Sequence, residues 1–324
     1  MRYKVYCWTF LLTHLILPLG SASSLETLTV ALPSKSFQFA IFSIAKDRGY
    51  MKEEGIDLNI AFMRTASGIQ ALLAGGIQFS GSGSSALVAI TKSGAPLKTV
   101  LAANKQVLQW VFVRPEINSL AELKDKKVAV AGVASISEAM FKQISPKYGL
   151  QAAKDVVFLA PGANNRVAAL VSGAVDGAIL STEERYAARA HGMKEMMFLG
   201  KEVKNSWGTV ATSDSFIREQ PQLLTGVMKA LLKALSVLRH DRTGTIAAVA
   251  KFSGLEEPLA TRMYDDLIGT FTANGTVDEE TQENDLDVVR QVAKVTKPVP
   301  IGQAYDFSFA HKAGENLNQN GRRP

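Results

Sequence analysis

The chain has 324 residues, of which 47% are apolar and 20% charged, the composition of a soluble globular protein with material for about two domains. Its formal charge of +6 is carried by scattered Lys and Arg with no run of five or six, which argues against nucleic acid as a partner.

The N-terminus has the layout of a secretory signal peptide over residues 1–22. Arg2 and Lys4 precede an apolar stretch from Val5 to Leu19, and Gly20-Ser21-Ala22 supplies the small residues read at a cleavage site. Thr9, Thr13 and His14 interrupt the stretch, which is shorter than the roughly 20 apolar residues of a membrane anchor. No later segment reads as long and apolar enough to span a bilayer. The only cysteine, Cys7, lies inside this signal, so the exported chain carries no disulfide, thiol nucleophile or Cys–metal site. A soluble, exported, unanchored chain points to the periplasm.

Beyond the signal, strands and helices alternate. Thr27–Leu32 reads as a strand, Phe37–Lys52 as a helix, Ile56–Phe62 as a strand, Gly68–Ala74 as a short helix, Ile77–Ser80 as a strand and Ser85–Ser93 as a helix. Val107–Pro115 is an apolar run that reads as a strand passing from one lobe to the next. The same grammar then recurs: strand Lys127–Gly132, helix Ser135–Lys147, strand Val156–Leu159, helix Asn165–Ser172, strand Val175–Leu180 and helix Glu183–Ala190. The chain returns near Asn205–Ala211, and Pro221–His240 reads as a helix with Leu224, Val227, Leu231, Leu235 and Leu238 on one stripe.

Ala71-Leu72-x-x-Gly75-Gly76-Ile77-Gln78 lies over Ala169-Leu170-x-x-Gly173-Ala174-Val175-Asp176: in each, a short helix ends at a glycine able to take the left-handed cap and a buried strand follows. These readings give an α/β fold of two lobes, each a mixed sheet flanked by helices, joined by a two-strand hinge crossover. Residues 23–111 and 207–324 form lobe one, and residues 112–206 form lobe two.

Each strand end leads into a loop of small hydroxyl or amide residues: Ser34–Ser36, Ser80–Ser85, Ser135–Ser137, Gly162–Asn165 and Ser181–Thr182. In open α/β sheets ligands sit outside the carboxyl ends of the strands, where helix N-termini offer free N–H groups. These loops could cradle a small polar or anionic group, with Lys35 the only charged donor nearby; equally, each Ser could be an ordinary helix cap, and Ser135-x-x-Glu138 fits a capping box. Glu183 and Glu184 follow a strand directly, placed either to complement a helix dipole or to face a ligand amine or ring N–H. Trp110 and Trp207 fall at the two crossovers, as hinge core or as cleft lining. Gly81-x-Gly83-x-x-Ala86 resembles a dinucleotide fingerprint but lacks the acidic residue about 20 positions on. There is no G-x-S-x-G elbow, and His191, His240 and His311 are isolated, so the reading includes no catalytic residue, no metal and no cofactor.

The order of these segments resembles the nitrate/sulfonate/taurine-type substrate-binding proteins of ABC transporters, from about Leu28 to His311. Ser119-Leu120-Ala121-Glu122-Leu123-Lys124-Asp125-Lys126-Lys127-Val128 is similar to that family's lobe-two opening, and Arg166-x-Ala168-Ala169-Leu170-x-x-Gly173-x-x-Asp176 to its helix–strand motif. At Gln78-Phe79-Ser80-Gly81-Ser82-Gly83-Ser84-Ser85-Ala86 the chain keeps Gly83 but departs from the family form at Gln78, Ser80 and Ala86.

The resemblance implies a type II periplasmic binding protein that captures a small organic or inorganic anion, sulfonate-, nitrate- or taurine-like, for the permease subunits of an importer. Its implied ligand residues are Ser34, Ser36, Ser82, Ser84, Ser135, Ser137, Asn164 and Thr182, to which the loop reading adds Gly83, Glu183 and Trp207. Such a protein acts as a monomer. The alternatives are a pyrimidine or other nitrogen compound as ligand, or a periplasmic sensor. An enzyme like the superfamily's thiamine-pyrimidine synthase is disfavoured, because that enzyme uses a cysteine-rich segment the exported chain lacks.

Overall fold

The computed structural model describes residues 24–162 and 165–320. Residues 1–22, read above as a signal peptide and holding Cys7, and Asn164 lie outside the described residues. The chain runs β1 (Glu26–Leu32), a 3-10 turn at Phe37–Phe39, α1 (Ala40–Asp47), α2 (Tyr50–Glu53), β2 (Ile56–Phe62), α3 (Thr65–Leu73), β3 (Phe79–Ser80), α4 (Gly83–Ser93) and β4 (Leu97–Asn104). It continues with β5 (Trp110–Val113), β6 (Lys126–Ala129), α5 (Ile136–Ile144), α6 (Ala152–Asp155), β7 (Val156–Leu159), α7 (Arg166–Val171), β8 (Gly177–Leu180), α8 (Thr182–Ala190), β9 (Lys194–Phe198) and α9 (Leu199–Glu202). It ends with β10 (Trp207–Ser213), α10 (Asp214–Glu219), α11 (Pro221–His240), α12 (Arg242–Ser253), α13 (Glu257–Leu267), α14 (Glu279–Ala293), α15 (Ile301–Ala304) and α16 (Ser308–Asn320).

Two five-stranded sheets result, β2-β1-β3-β10-β4 and β7-β6-β8-β5-β9. Position for position they share one topology. In each, the first three strands are parallel, and the fourth runs antiparallel to both its neighbours. That fourth strand is the one arriving from the other lobe: β5 enters the second sheet and β10 re-enters the first. Central strands buried on both faces read as unbroken apolar runs, as in β5 (WVFV) and β8 (GAIL). The edge strand β2 alternates buried and exposed residues over its first half.

The internal repeat is visible at the hydrogen-bond level. The Gln78 N–H donates to the Thr29 carbonyl at 3.1 Å while its Oε1 accepts the Thr29 N–H at 2.9 Å. Asp176 stands in the same relation to Lys127, its Oδ2 accepting that N–H at 3.0 Å. The Gln78 departure from the family's Asp is therefore neutral for the fold, because the amide oxygen makes the same bond. Gly75 and Gly173, the paired helix stops, take left-handed φ of 74° and 75°.

Four expectations are corrected. The helix expected over Phe37–Lys52 is broken into a 3-10 turn, α1 and α2, because Gly49 takes φ 79° and starts a new turn. Strands β4 and β9 were not anticipated. Trp110 and Val111, expected in lobe one, pair with β8 and β9 of the second sheet, so residues 105–109 make the outward crossing. Helix α11 is by length and composition apolar enough to cross a membrane. Instead, Leu224, Val227, Leu231, Leu235 and Leu238 are wholly buried against α1, α2 and α16 as the centre of the lobe-one core.

Helix α14 lies along the crossover and packs on α4 of one lobe and α5 of the other. Its Asp285 is fully buried and binds the returning segment: Oδ1 accepts from Asn205 Nδ2 at 2.9 Å and from the Ser206 N–H at 3.1 Å, while Oδ2 accepts from the Ser206 and Tyr305 hydroxyls. Burial pushes the Asp285 carboxyl up to about 6 against the pull of these four donors.

Candidate functional site

A cavity of about 570 Å³ lies between the sheets, at the carboxyl ends of β1, β3, β6 and β8. Parallel strands place their following loops at one end, and facing sheets bring the two sets of loops together. Lobe one supplies Ser34, Gln38 and Gly81–Ser85, with Trp207 and Thr209 from β10; lobe two supplies Ser135, Ser137, Arg166, Thr182 and Glu183. Nine of the expected residues therefore line one cavity: Ser34, Ser82, Gly83, Ser84, Ser135, Ser137, Thr182, Glu183 and Trp207. Ser36 stands behind the wall, its hydroxyl 2.8 Å from that of Ser34. Lys35 is exposed and sits over the Phe62 ring, outside the cavity. Trp110 is core, stacked on Phe198 at 4.8 Å. Only Trp207 of the two crossover tryptophans reaches the cavity.

Among the helices of eight or more residues that begin at this cavity are α3, α4, α5 and α8, and their N-termini differ. At α5, Ser135 accepts the Glu138 N–H at 3.4 Å, and the buried Glu138 carboxylate takes the Ala134 N–H at 2.8 Å. At α8, the Glu184 carboxylate accepts the Ser181 N–H at 2.9 Å and the Ser181 hydroxyl at 2.7 Å. Both ends are thus filled by their own carboxylates. At α4, Ser82 makes no side-chain cap. The Ser85 and Ala86 amides go to the Ser82 carbonyl, and among the described residues the Gly83 and Ser84 amides have no acceptor. This end, and that of α3, where Arg64 makes no side-chain cap and Thr65 lines the cavity, are free to receive an anionic group. Gly83 is required for packing: a Cβ there would lie 2.3 Å from Thr209 Oγ1 and 2.9 Å from the Thr209 backbone.

The adjacent glutamates divide the two roles expected of them. Glu184 holds the helix start and forms a two-pronged ion pair with the buried Arg166, whose Nη1 also donates to the Ile179 carbonyl at 2.6 Å. Glu183 points into the cavity, where its Oε1 is closed off from solvent and accepts no hydrogen bond. Burial pushes its carboxyl up; its own N–H, the Ser36 hydroxyl and the Phe37 N–H of lobe one oppose that shift. Further along α8, Arg185 pairs with Glu195, stacks over Trp110 at 4.8 Å and reaches Asp266 of α13 at 2.8 Å, where the Tyr186 hydroxyl also donates at 2.9 Å. Sequence reasoning missed Arg166, Gln38 and Thr209 as cavity residues. Arg166 had a signal, as the first residue of the helix–strand motif; the other two are delivered by packing alone.

This cleft between two sheets of like topology is the architecture of a two-lobed periplasmic binding protein. The chain belongs to the NMT1/THI5-like family, whose model matches residues 36–241, more than half its length. No curated protein sequence matches it. Among solved structures, a putative periplasmic sulfonate-binding protein SsuA from Methylobacillus flagellatus KT superposes with a TM-score of 0.75 at 17% identity, over 91% of this chain and 96% of that one. The periplasmic nitrate-binding protein NrtA from Synechocystis PCC 6803 gives 0.67 at 12% identity, over 90% and 89%. The desulfurization enzyme DSZB gives 0.68 at 14% identity, over 90% and 99%. The fold resemblance read from the sequence is borne out, and the fold houses binding proteins and an enzyme alike.

Proposed function

We propose that this chain is the exported solute-binding component of an ABC importer, capturing a small anion-bearing molecule between its lobes and handing it to permease subunits. The observation that supports this reading is the cavity itself: its polar walls come from equivalent loops of both lobes, so a bound solute touches both and favours their closure. The uncapped α4 N-terminus, with the Ser82 and Ser84 hydroxyls beside it, is the seat for the anionic group. The SsuA and NrtA likenesses supply the precedent for sulfonate and nitrate in this fold. Ser34, Ser82, Ser84, Ser135, Ser137 and Thr182 are the proposed hydrogen-bonding wall, and Trp207 is the apolar surface beside it.

A binding role is preferred over catalysis because the described wall holds no cysteine or histidine, and its one arginine is engaged by Glu184. Export follows from the N-terminal layout: mass spectrometry of periplasmic protein should show a chain beginning near Ser23, without a thiol. The decisive test is a thermal-shift screen of the mature protein with sulfonates, carboxylates, nitrate and amines, followed by X-ray scattering. A solute at 100 times its dissociation constant stabilises by about 2.7 kcal/mol, a shift of a few degrees. Stabilisation without compaction would refute closure around the solute. Loss of binding in Ser84→Trp, which fills the cavity at α4, places the solute there; retained binding would move it elsewhere.

A further inference from the structure

Gln38, Gln109 and Thr182 line the cavity at only 8%, 7% and 2% exposure. Among the described residues their side-chain polar groups have no hydrogen-bond partner. Gln38 Oε1 is sealed from solvent, whereas Gln38 Nε2, the Gln109 amide and the Thr182 hydroxyl are not. Burying an amide without a partner is costly, and native proteins rarely do so without a use for it. The nearby Ser135 and Ser137 hydroxyls, by contrast, meet each other at 3.4 Å. The two glutamines stand at the two crossings. On the way out, the Lys105 N–H donates to the Thr270 carbonyl of lobe one at 2.8 Å, and the Gln109 carbonyl accepts the Leu199 N–H of lobe two at 3.0 Å. Gln109 is therefore where the outward crossing is fastened to the second lobe. On the return, Gly208 takes φ 59°, and a Cβ there would lie 3.1 Å from Gln38 Cβ and 2.8 Å from Asn104 Oδ1. Gln38 is thus pressed from lobe one against the backbone of the returning strand.

We infer that Gln38 and Gln109 are specificity-determining residues of this cavity, that they hold the solute at the hinge from opposite lobes, and that the part of the solute lodged there bears oxygen acceptors, as in a carboxylate, a sulfonate or a carbonyl. The inference rests on the solute-binding reading and deepens it. With Gln38 Oε1 shut away in the protein, that side chain presents only N–H donors to the cavity, and donors call for acceptors on the solute. The Gln109 amide and the Thr182 hydroxyl donate as well. Two lobes that close as rigid bodies turn about their crossings. Atoms near the axis of such a rotation move least, so the two amides meet the solute before closure and keep it afterwards. One amide belongs to each lobe, so a solute held by both ties its own recognition to the position of the hinge.

Mature protein, Gln38→Met and Gln109→Met are incubated with a small-molecule cell extract, separated from free solute by gel filtration, and denatured. The released molecules are identified and counted by high-resolution mass spectrometry. Methionine is close to glutamine in length, flexible enough to fill the same space, and lacks its hydrogen-bonding groups. Removing an unpaired buried amide should leave the melting temperature of each solute-free variant equal to or above that of the unmodified protein. Each variant should retain the solute about ten-fold less or weaker still. A purely structural role predicts the reverse, a lower melting temperature with unchanged retention. A solute-free variant that melts lower, retention equal to that of the unmodified protein, or a retained solute with no oxygen acceptor overturns the inference while leaving the binding role intact. If the unmodified protein retains no solute, the binding role falls and the inference falls with it.

Discussion

Asp285 gives the sharpest stability test, because it is a fully buried carboxyl on which the returning crossover is fastened. Its folded-state value is raised from 3.8 to about 6. A raised value means the folded protein holds the proton more tightly than the unfolded chain. The associated stability is fully present below pH about 4 and is lost as pH rises through about 6. Two pH units correspond to about 3 kcal/mol. Carboxylates held below their ordinary value act with the opposite sign and at lower pH; Asp278, for example, is held down at about 2 by Lys204 and Thr281. The Asp285 contribution is therefore isolated by comparing the protein with Asp285→Asn. An amide oxygen can keep the Asn205 and Ser206 N–H bonds, while the Ser206 and Tyr305 hydroxyls rotate to accept from its NH2. Urea denaturation at half-unit steps from pH 4 to 7.5 should show the unmodified protein losing about 3 kcal/mol relative to the variant as pH rises. A stability difference that does not change with pH would refute the reasoning, since it would mean that the four donors hold Asp285 ionised throughout.

Two further outcomes are expected. Gly83→Ala should cost about 1–3 kcal/mol on denaturation, since the new methyl meets Thr209 2.3 Å away and must lift α4 off β10; unchanged stability would show that the contact relaxes freely. Asp266→Asn should speed solute release by up to about five-fold in stopped flow with folding stability nearly unchanged, because it weakens a half-exposed ion pair between α8 and α13 while Arg185 keeps Glu195. Unaltered release would show that this contact does not hold the lobes together.

The lobe architecture was legible because its signals are local. Glycine stops such as Gly75 and Gly173, the recurring strand–helix order and the α11 stripe all survive folding as read. Strand β4 was missed because its residues are almost all buried, so no alternation marks it; β9 was missed because its partly buried KEMMF sequence matches neither period cleanly. The serine loops were legible as site residues because strand ends are where open sheets bind. Glu183 and Glu184 were not separable in sequence. Neighbours on a helix differ by about 100° in direction, and only the position of Arg166 decides which of them turns inward to the ion pair. Trp110 and Trp207 were likewise equivalent in sequence; their fates differ because Phe198 and Arg185 enclose one and the cavity borders the other.

Four consecutive side chains at the start of α8 do four separate jobs. Glu183 lines the cavity, Glu184 secures the helix and Arg166, Arg185 ties Trp110 to Asp266, and Tyr186 joins it there. Mutations in this stretch are consequently pleiotropic: a change that reshapes the cavity also disturbs the α8–α13 contact and the start of α8 in lobe two. Paralogues that switch cargo along this lineage would be expected to leave this turn alone. They would explore instead Ser34, Ser82 and Ser84, whose side chains line the cavity away from the α8 contacts and from the tightly packed Gly81 and Gly83.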